Sequence, residues 1–138
     1  MSKFGVFKNA FIRVNGVDLS NHCTELRFRE RSAVIPSHAM SDDYEFAKPG
    51  LFNIEASATF LQDFAAGSVD ATINPLWANR SEFGLLLRAD SAAVSTTNPS
   101  YSGLAFIESY SPIGGAHGAN LMAEVVFQPA GNWSRLTT

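Results

Sequence analysis

Residues Ser32 to Gly50 read SAVIPSHAMSDDYEFAKPG and separate two segments whose side chains alternate as in β-strands. A connection of this length is uncommon in compact domains and is either functional or disordered. Disordered chain is poor in aromatic and β-branched residues, yet this stretch carries Val34, Ile35, Met40, Tyr44 and Phe46. Those side chains need a cover, either from the loop's own core or from another molecule. The rest of the chain has to decide between the two.

Immediately upstream, Glu25 to Arg31 alternates, with Leu26 and Phe28 on one face and Glu25, Arg27, Arg29 and Arg31 on the other. This is the pattern of a half-buried strand with a charged outer face. Downstream, Phe52 to Asp63 alternates again, grouping Ile54, Ala56, Ala58 and Phe60 on one side and Glu55, Ser57, Thr59, Leu61 and Asp63 on the other. Further towards the N-terminus, Phe11 to Val14 ends at Asn15-Gly16, a dipeptide that accepts the positive φ angles of a type I′ hairpin turn. Beyond Ala65 the period of two stops. Ser68 as N-cap and Asp70 in the first turn predict a helix over about 68–80, kinked or restarted at Pro75, with Asn74 as the second cap.

Three more strands are expected at Glu82 to Ala89, Tyr101 to Tyr110 and Asn120 to Gln128. Asp90 to Ser100 reads as an exposed loop or short edge strand, and Ser111 to Gly118, rich in glycine, as a flexible hairpin. The expected fold is mainly β, a β-sandwich or flattened barrel of six or seven strands with one flanking α-helix and a long inter-strand loop. At 138 residues the simplest organisation is one domain over 1–138, with residues 1–8 as an N-terminal arm.

Composition narrows the function classes. A net charge of −3 disfavours a protein that grips nucleic acid, since such proteins collect Lys and Arg to displace counterions. Cys23 is the only cysteine, which rules out an internal disulfide and a thiolate zinc cluster. The N-terminus lacks a secretory pattern and no apolar run is long enough for a membrane span, so the expectation is a protein without membrane contact.

The chemistry-bearing residues do not assemble into a catalytic set. His22, His38 and His117 fall in or beside turns without a ligand at metal spacing, and His22 and Cys23 point to opposite sides of a strand. Ser111 to Gly118 lacks the lysine and following helix of a phosphate loop. Asp42-Asp43 read as solvated, turn-capping or paired with a neighbour's arginine, and the row Arg27, Arg29, Arg31 as a solvated or subunit-pairing face. Trp77 and Trp133, with Tyr44 or Tyr110, are the residues a carbohydrate-binding platform would use, although core or interface anchoring suits the tryptophans better. No enzyme, metal or cofactor is expected.

The order of motifs resembles a set of small tail proteins from long-tailed bacteriophages. The resemblance rests on Asn15 to Ser20 after the first strand, the long loop, Gln62 to Ala71 entering a helix, Ala89 to Ser95 with Asn98-Pro99, and Glu108 to Gly115. It implies a major tail tube protein of the siphovirus type, a β-sandwich with a flanking helix that assembles as hexameric rings stacked into a hollow cylinder. By that resemblance the loop Ser32 to Gly50 reaches an adjacent subunit or ring, and Phe4 and Phe7 in the N-terminal arm lie against neighbours. The implied partners are further copies of the chain and tail proteins such as the tape measure, tail terminator and baseplate. The implied location is the virion, after assembly in the host bacterial cytoplasm.

Mild acidity suits a conduit that lets DNA slide without specific binding, and Glu55, Asp63, Glu108 and Glu124 are candidates for its lining. The competing readings are a head decoration or head-tail joining protein and a carbohydrate-binding β-sandwich.

Overall fold

The computed structural model describes residues 9–138. Phe4 and Phe7, and with them the expected N-terminal arm, lie outside the described residues. Strand β1 (Phe11–Val14) turns at Asn15-Gly16 into β2 (Val17–Asp18). Asn15 has φ 50° and Gly16 φ 82°, the pair of positive angles that a type I′ turn requires. A short 3-10 turn (Ser20–His22) leads into β3 (Cys23–Pro36) and then β4 (Ala47–Leu61). The helix α1 (Val69–Ala78) follows, then β5 (Phe83–Arg88), β6 (Ser100–Gly114) and β7 (Met122–Leu136).

The strands form one antiparallel sheet in the order β2-β1-β5-β6-β7-β4-β3, so the expected β-rich architecture with one flanking helix is present. They belong to a single seven-stranded sheet that does not close. The sheet nevertheless curls. Leu26 on the edge strand β3 and Leu87 on β5 line one cleft although β6, β7 and β4 stand between those strands in the ladder. Phe28 on β3 packs at 4.8 Å from the Tyr101 ring of β6 and 5.6 Å from Trp133 of β7.

The concave side is the core. Alternate residues Ala56, Ala58 and Phe60 of β4, Ala123, Val125 and Phe127 of β7, and Leu85 and Leu87 of β5 are buried there with Ile12 and Val14. Val69, Ile73 and Leu76 of α1 close it from below. Full burial of a side chain such as Phe60 or Phe127 contributes about 2–3 kcal/mol each relative to leaving it in water. The small residues expected in the middle of β4 sit opposite large ones: Ala56 pairs with Phe28 on one side and Phe127 on the other.

Several boundaries differ from expectation. The segment 32–50 is a loop only at its tip. Val34 pairs with Pro49, Ile35 with Lys48 and Pro36 with Ala47, so β3 and β4 continue as a two-stranded ribbon and leave 37–46 as the turn. β-branched Val34 and Ile35 favour extended backbone, and Pro49 is tolerated because β4 pairs with β7 only from Ala56 onward, leaving one edge of the ribbon free. Strand β7 runs on to Leu136, paired with β6 through register shifts that accommodate Pro129 and Gly131. The loop before β6 is organised by Asn98, whose Nδ2 donates to the carbonyls of Asp90, Ala92 and Ala93 at 3.2, 3.0 and 3.3 Å.

The helix is continuous through Pro75, with no restart at Asn74. Ser68 is its N-cap residue, but the Ser68 hydroxyl does not cap it. That hydroxyl donates to Asp63 Oδ2 at 2.8 Å, while the Asp63 carbonyl accepts the Asp70 N–H at 3.1 Å. Asp63 thereby serves the first turn from outside the helix. The Ala65 N–H, which donates to Asp63 Oδ1 at 3.0 Å, and then the Ser68 hydroxyl hold the Asp63 carboxyl below the usual carboxylate range.

Two predictions follow from these contacts. A Cβ at Gly103 would lie 2.6 Å from the Trp133 ring, whereas one at Gly84 would meet nothing within 4 Å. Gly103→Ala is expected to lower stability by roughly 1–3 kcal/mol in chemical denaturation, with Gly84→Ala close to neutral. Because the Asp63 carboxyl is depressed below 3.8, its contribution is present above that pH and lost as pH falls through the folded-state value. Thermal unfolding of Asp63→Asn should therefore show a deficit against wild type at neutral pH that shrinks in acid.

Candidate assembly surfaces

The β3–β4 ribbon projects from the sheet as an arm. At the usual strand rise it extends about 17 Å from Arg31 to Pro36, and residues 31–49 are all exposed. Its turn is built from within: Ser37 N–H donates to the Phe46 carbonyl at 3.0 Å, and the Ala39 N–H to Asp42 Oδ2 at 2.7 Å. Asp42 is thus the turn-capping member of the Asp42-Asp43 pair. Of the apolar residues singled out in sequence, Val34 is 72% exposed, Met40 fully so and Tyr44 76%. Ile35 and Phe46 are also exposed, as are Leu51 and Phe52 at the base, which sequence reading did not single out. Burial in the chain's own core does not cover them.

A second exposed apolar group lies at the other end of the sheet. β4 runs away from the arm towards Leu61, which pairs with Met122, and the Gln62 N–H donates to the Leu121 carbonyl at 2.9 Å. Phe64, Ile113 and Leu121 are exposed around this end. Large apolar side chains left in water at both ends of one molecule are a liability unless another surface covers them. Between the arm's base and the end of β7 lies a groove of about 350 Å3 whose walls include Phe52, Ile54, Pro129 and Trp133.

Glu55, Glu108 and Glu124 share the face of the sheet turned away from the helix. Each neighbours a residue of the core face in the ladder: Glu124 pairs with Thr59 beside Phe60, and Glu55 lies beside Ala56. Gln128 Nε2 donates to Glu108 Oε2 at 3.0 Å across β6 and β7. The row Arg27, Arg29 and Arg31 belongs to the same face, Arg27 opposite Ser57 and Arg29 opposite Glu55. Asp63 is not part of this group, since it lies beyond the end of β4 and is engaged at the helix start.

The structure also gathers His22, Asp63 and Ser68, which the sequence reading did not connect. His22 Nε2 lies 3.3 Å from Asp63 Oδ2 and 3.4 Å from Ser68 Oγ. The order is wrong for acyl transfer. The Ser68 hydroxyl donates to the carboxylate rather than to the imidazole, and the carboxylate meets the same ring nitrogen that a base would use. Burial pushes the adjacent Cys23 thiol up to about 11, which keeps it protonated and poorly nucleophilic. Among the described residues no three His, Cys, Asp or Glu side chains converge as a metal site.

The aromatic residues of the carbohydrate reading do not form one platform. Trp133 packs on Phe28 and donates its Nε1–H to the Leu104 carbonyl at 3.0 Å. Tyr110 donates its hydroxyl to Asp70 Oδ1 at 2.8 Å, and burial pushes that phenol up to about 12. Trp77 sits on the helix and Tyr44 at the arm tip.

No family model matches this chain, and neither does any curated protein sequence. Solved structures do. A chain of the virion of a native gene transfer agent (GTA) particle superposes with a TM-score of 0.75 at 12% identity, over 96% of this chain and 99% of that one. A chain from the tail of an empty GTA particle, an assembly of C6 symmetry, gives 0.72 at 11% identity, over 98% and 99%. The SPP1 tail tube gives 0.71 at 12% identity, over 94% of this chain and 76% of that one. With sequence identity this low, what is shared is the path of the backbone over nearly the whole chain: the fold is the one found in the SPP1 tail tube and in the GTA tail.

Proposed function

We propose that this chain is a structural virion protein that polymerises as stacked hexameric rings into a phage tail tube, the conduit for DNA ejection. The observation that carries this reading is the exposed arm. Val34, Ile35, Met40, Tyr44 and Phe46 stand in water at one end of the molecule while Phe64, Ile113 and Leu121 stand in water at the other. Contacts between two different surfaces of identical copies are heterologous and continue into rings or filaments rather than stopping at a pair. The tube fold and the sixfold symmetry of a structural neighbour supply the form that such continuation takes.

In this reading the arm joins neighbouring subunits or rings, with Phe4 and Phe7 of the N-terminal arm adding to the contact. The face bearing Glu55, Glu108 and Glu124 lines the lumen, where carboxylates let phosphates pass without being held. Asp63, proposed from sequence for the same lining, is a weaker candidate because its carboxylate is already committed to Ser68 and Ala65. Tape measure, terminator and baseplate proteins are the further partners, met during assembly in the host bacterial cytoplasm.

Replacing Ile35 to Phe46 by a two-residue turn tests the arm directly. The shortened protein should keep its far-UV circular dichroism and lose rings or tubes in electron micrographs. If it unfolds, the arm supports its own domain and the assembly reading of these residues fails.

A further inference from the structure

The arm carries a cationic row at its base, interspersed with Glu25, Glu30 and Glu55, and a group of carboxylates at its tip, with Lys48 on the ribbon between. Arg27, Arg29 and Arg31 stand exposed in a row at its base, and Asp42, Asp43 and Glu45 stand exposed at its tip. Among the described residues the only ion pair made by any of these six is Arg27 with Glu25, at 3.5 Å and largely exposed. The free edge of the sheet is also here, since β3 ends the strand order. Three guanidinium groups on one strand face repel one another and present donors suited to carboxylates.

We propose that the acidic tip of the arm of one copy docks on the arginine row at the base of the arm of a second copy. The inference rests on the tube reading and names the surface that receives the arm. Displacement along the arm's own axis by about its length brings tip onto base, and each addition leaves a new free tip and a new free row. Antiparallel pairing of two arms would satisfy the same charges but close as a dimer, leaving Phe64, Ile113 and Leu121 in water at the far ends. The open arrangement continues by further additions instead.

Docking of this kind changes the electrostatics of the proposed lumen. On the face that carries Glu55, Glu108 and Glu124, the arginine row is the feature that would hold a passing phosphodiester. Carboxylates of the neighbouring tip neutralise that row and leave the glutamates in excess. The acid tip therefore has two effects, joining copies and masking their cationic strand.

Charge exchange tests this. Arg29→Glu with Arg31→Glu, and separately Asp43→Arg with Glu45→Arg, change exposed residues and leave the turn-capping Asp42 in place. Each pair is expected to raise the protein concentration needed for assembly at least about tenfold at about 0.1 M salt, read by sedimentation and electron microscopy, with circular dichroism unchanged. The four substitutions together should restore assembly to within about threefold of wild type, and salt at about 1 M should weaken the wild type and the fourfold variant alike.

Wild-type assembly that is indifferent to either charge reversal overturns the docking and leaves the tube reading standing. So does a fourfold variant that fails to recover, or one that recovers only as a closed dimer. A wild type that stays monomeric at high concentration overturns both.

Discussion

The unequal partnership of β4 is the constraint on which the rest of this molecule depends. From Ala56 to Leu61 the strand is flanked by β3 on one side and β7 on the other, and its alternate residues lie in the core. From Ala47 to Glu55 it has β3 alone. A two-stranded ribbon is at best marginally stable in water by itself. Here it persists as the continuation of strands anchored in a seven-stranded sheet, with its turn tied by Asp42 and by the Ser37 to Phe46 backbone bond. The same departure of β7 from β4 opens the groove at the arm's base and turns a buried sheet into a projecting surface.

The two ends of the sheet are stabilised by different physics. At the helix end a polar network binds loop, helix and strand: Gln62 Nε2 donates to the Tyr110 hydroxyl at 3.2 Å and to the Pro112 carbonyl at 2.7 Å, while Tyr110 donates to Asp70. Asp63 completes the helix start. Each donor and acceptor there ties the loop and the first helical turn to the strand that α1 packs on. Among the described residues the arm's polar bonds are confined to its own turn, and it offers apolar side chains and charges to the outside. Both ends leave apolar side chains in water, but at the helix end polar groups are tied within the chain, whereas the arm carries charges that meet no ionic partner among the described residues.

Much of the fold was legible because alternation is a local property. The Asn15-Gly16 turn, the core positions Ala56, Ala58 and Phe60, and the helix over most of its length can be read from residue spacing, since side-chain direction along a strand or helix follows from backbone geometry alone. The continuation of β3 and β4 through 32–36 and 47–50 was not legible, because a solvent-exposed ribbon has no buried face to impose a period of two. Ser68 holds the N-cap position that its place in the sequence suggests, but its side-chain partner was not legible. A serine before a helix is a good acceptor for the first turn, but Asp63 competes for its hydroxyl from a position that only the folded chain brings near.

Of the candidate site, the apolar residues Val34, Ile35, Met40, Tyr44 and Phe46 were identifiable from sequence because aromatic and aliphatic side chains in a long connection need a cover. Leu51 and Phe52 were hidden inside what read as an ordinary strand, and Phe64, Ile113 and Leu121 are too scattered along the chain to suggest one end of a sheet. By itself the sequence determined a β-rich chain with one helix and a segment in need of cover. Tertiary structure alone decided that the strands form one curled, open sheet, that Glu55, Glu108 and Glu124 share a face without Asp63, and that the acidic turn stands at the far end of a projecting ribbon from the arginine row. Those relations depend on pairing between residues far apart in the chain, and the free energy that selects such pairing is a sum over the whole core that no local window contains.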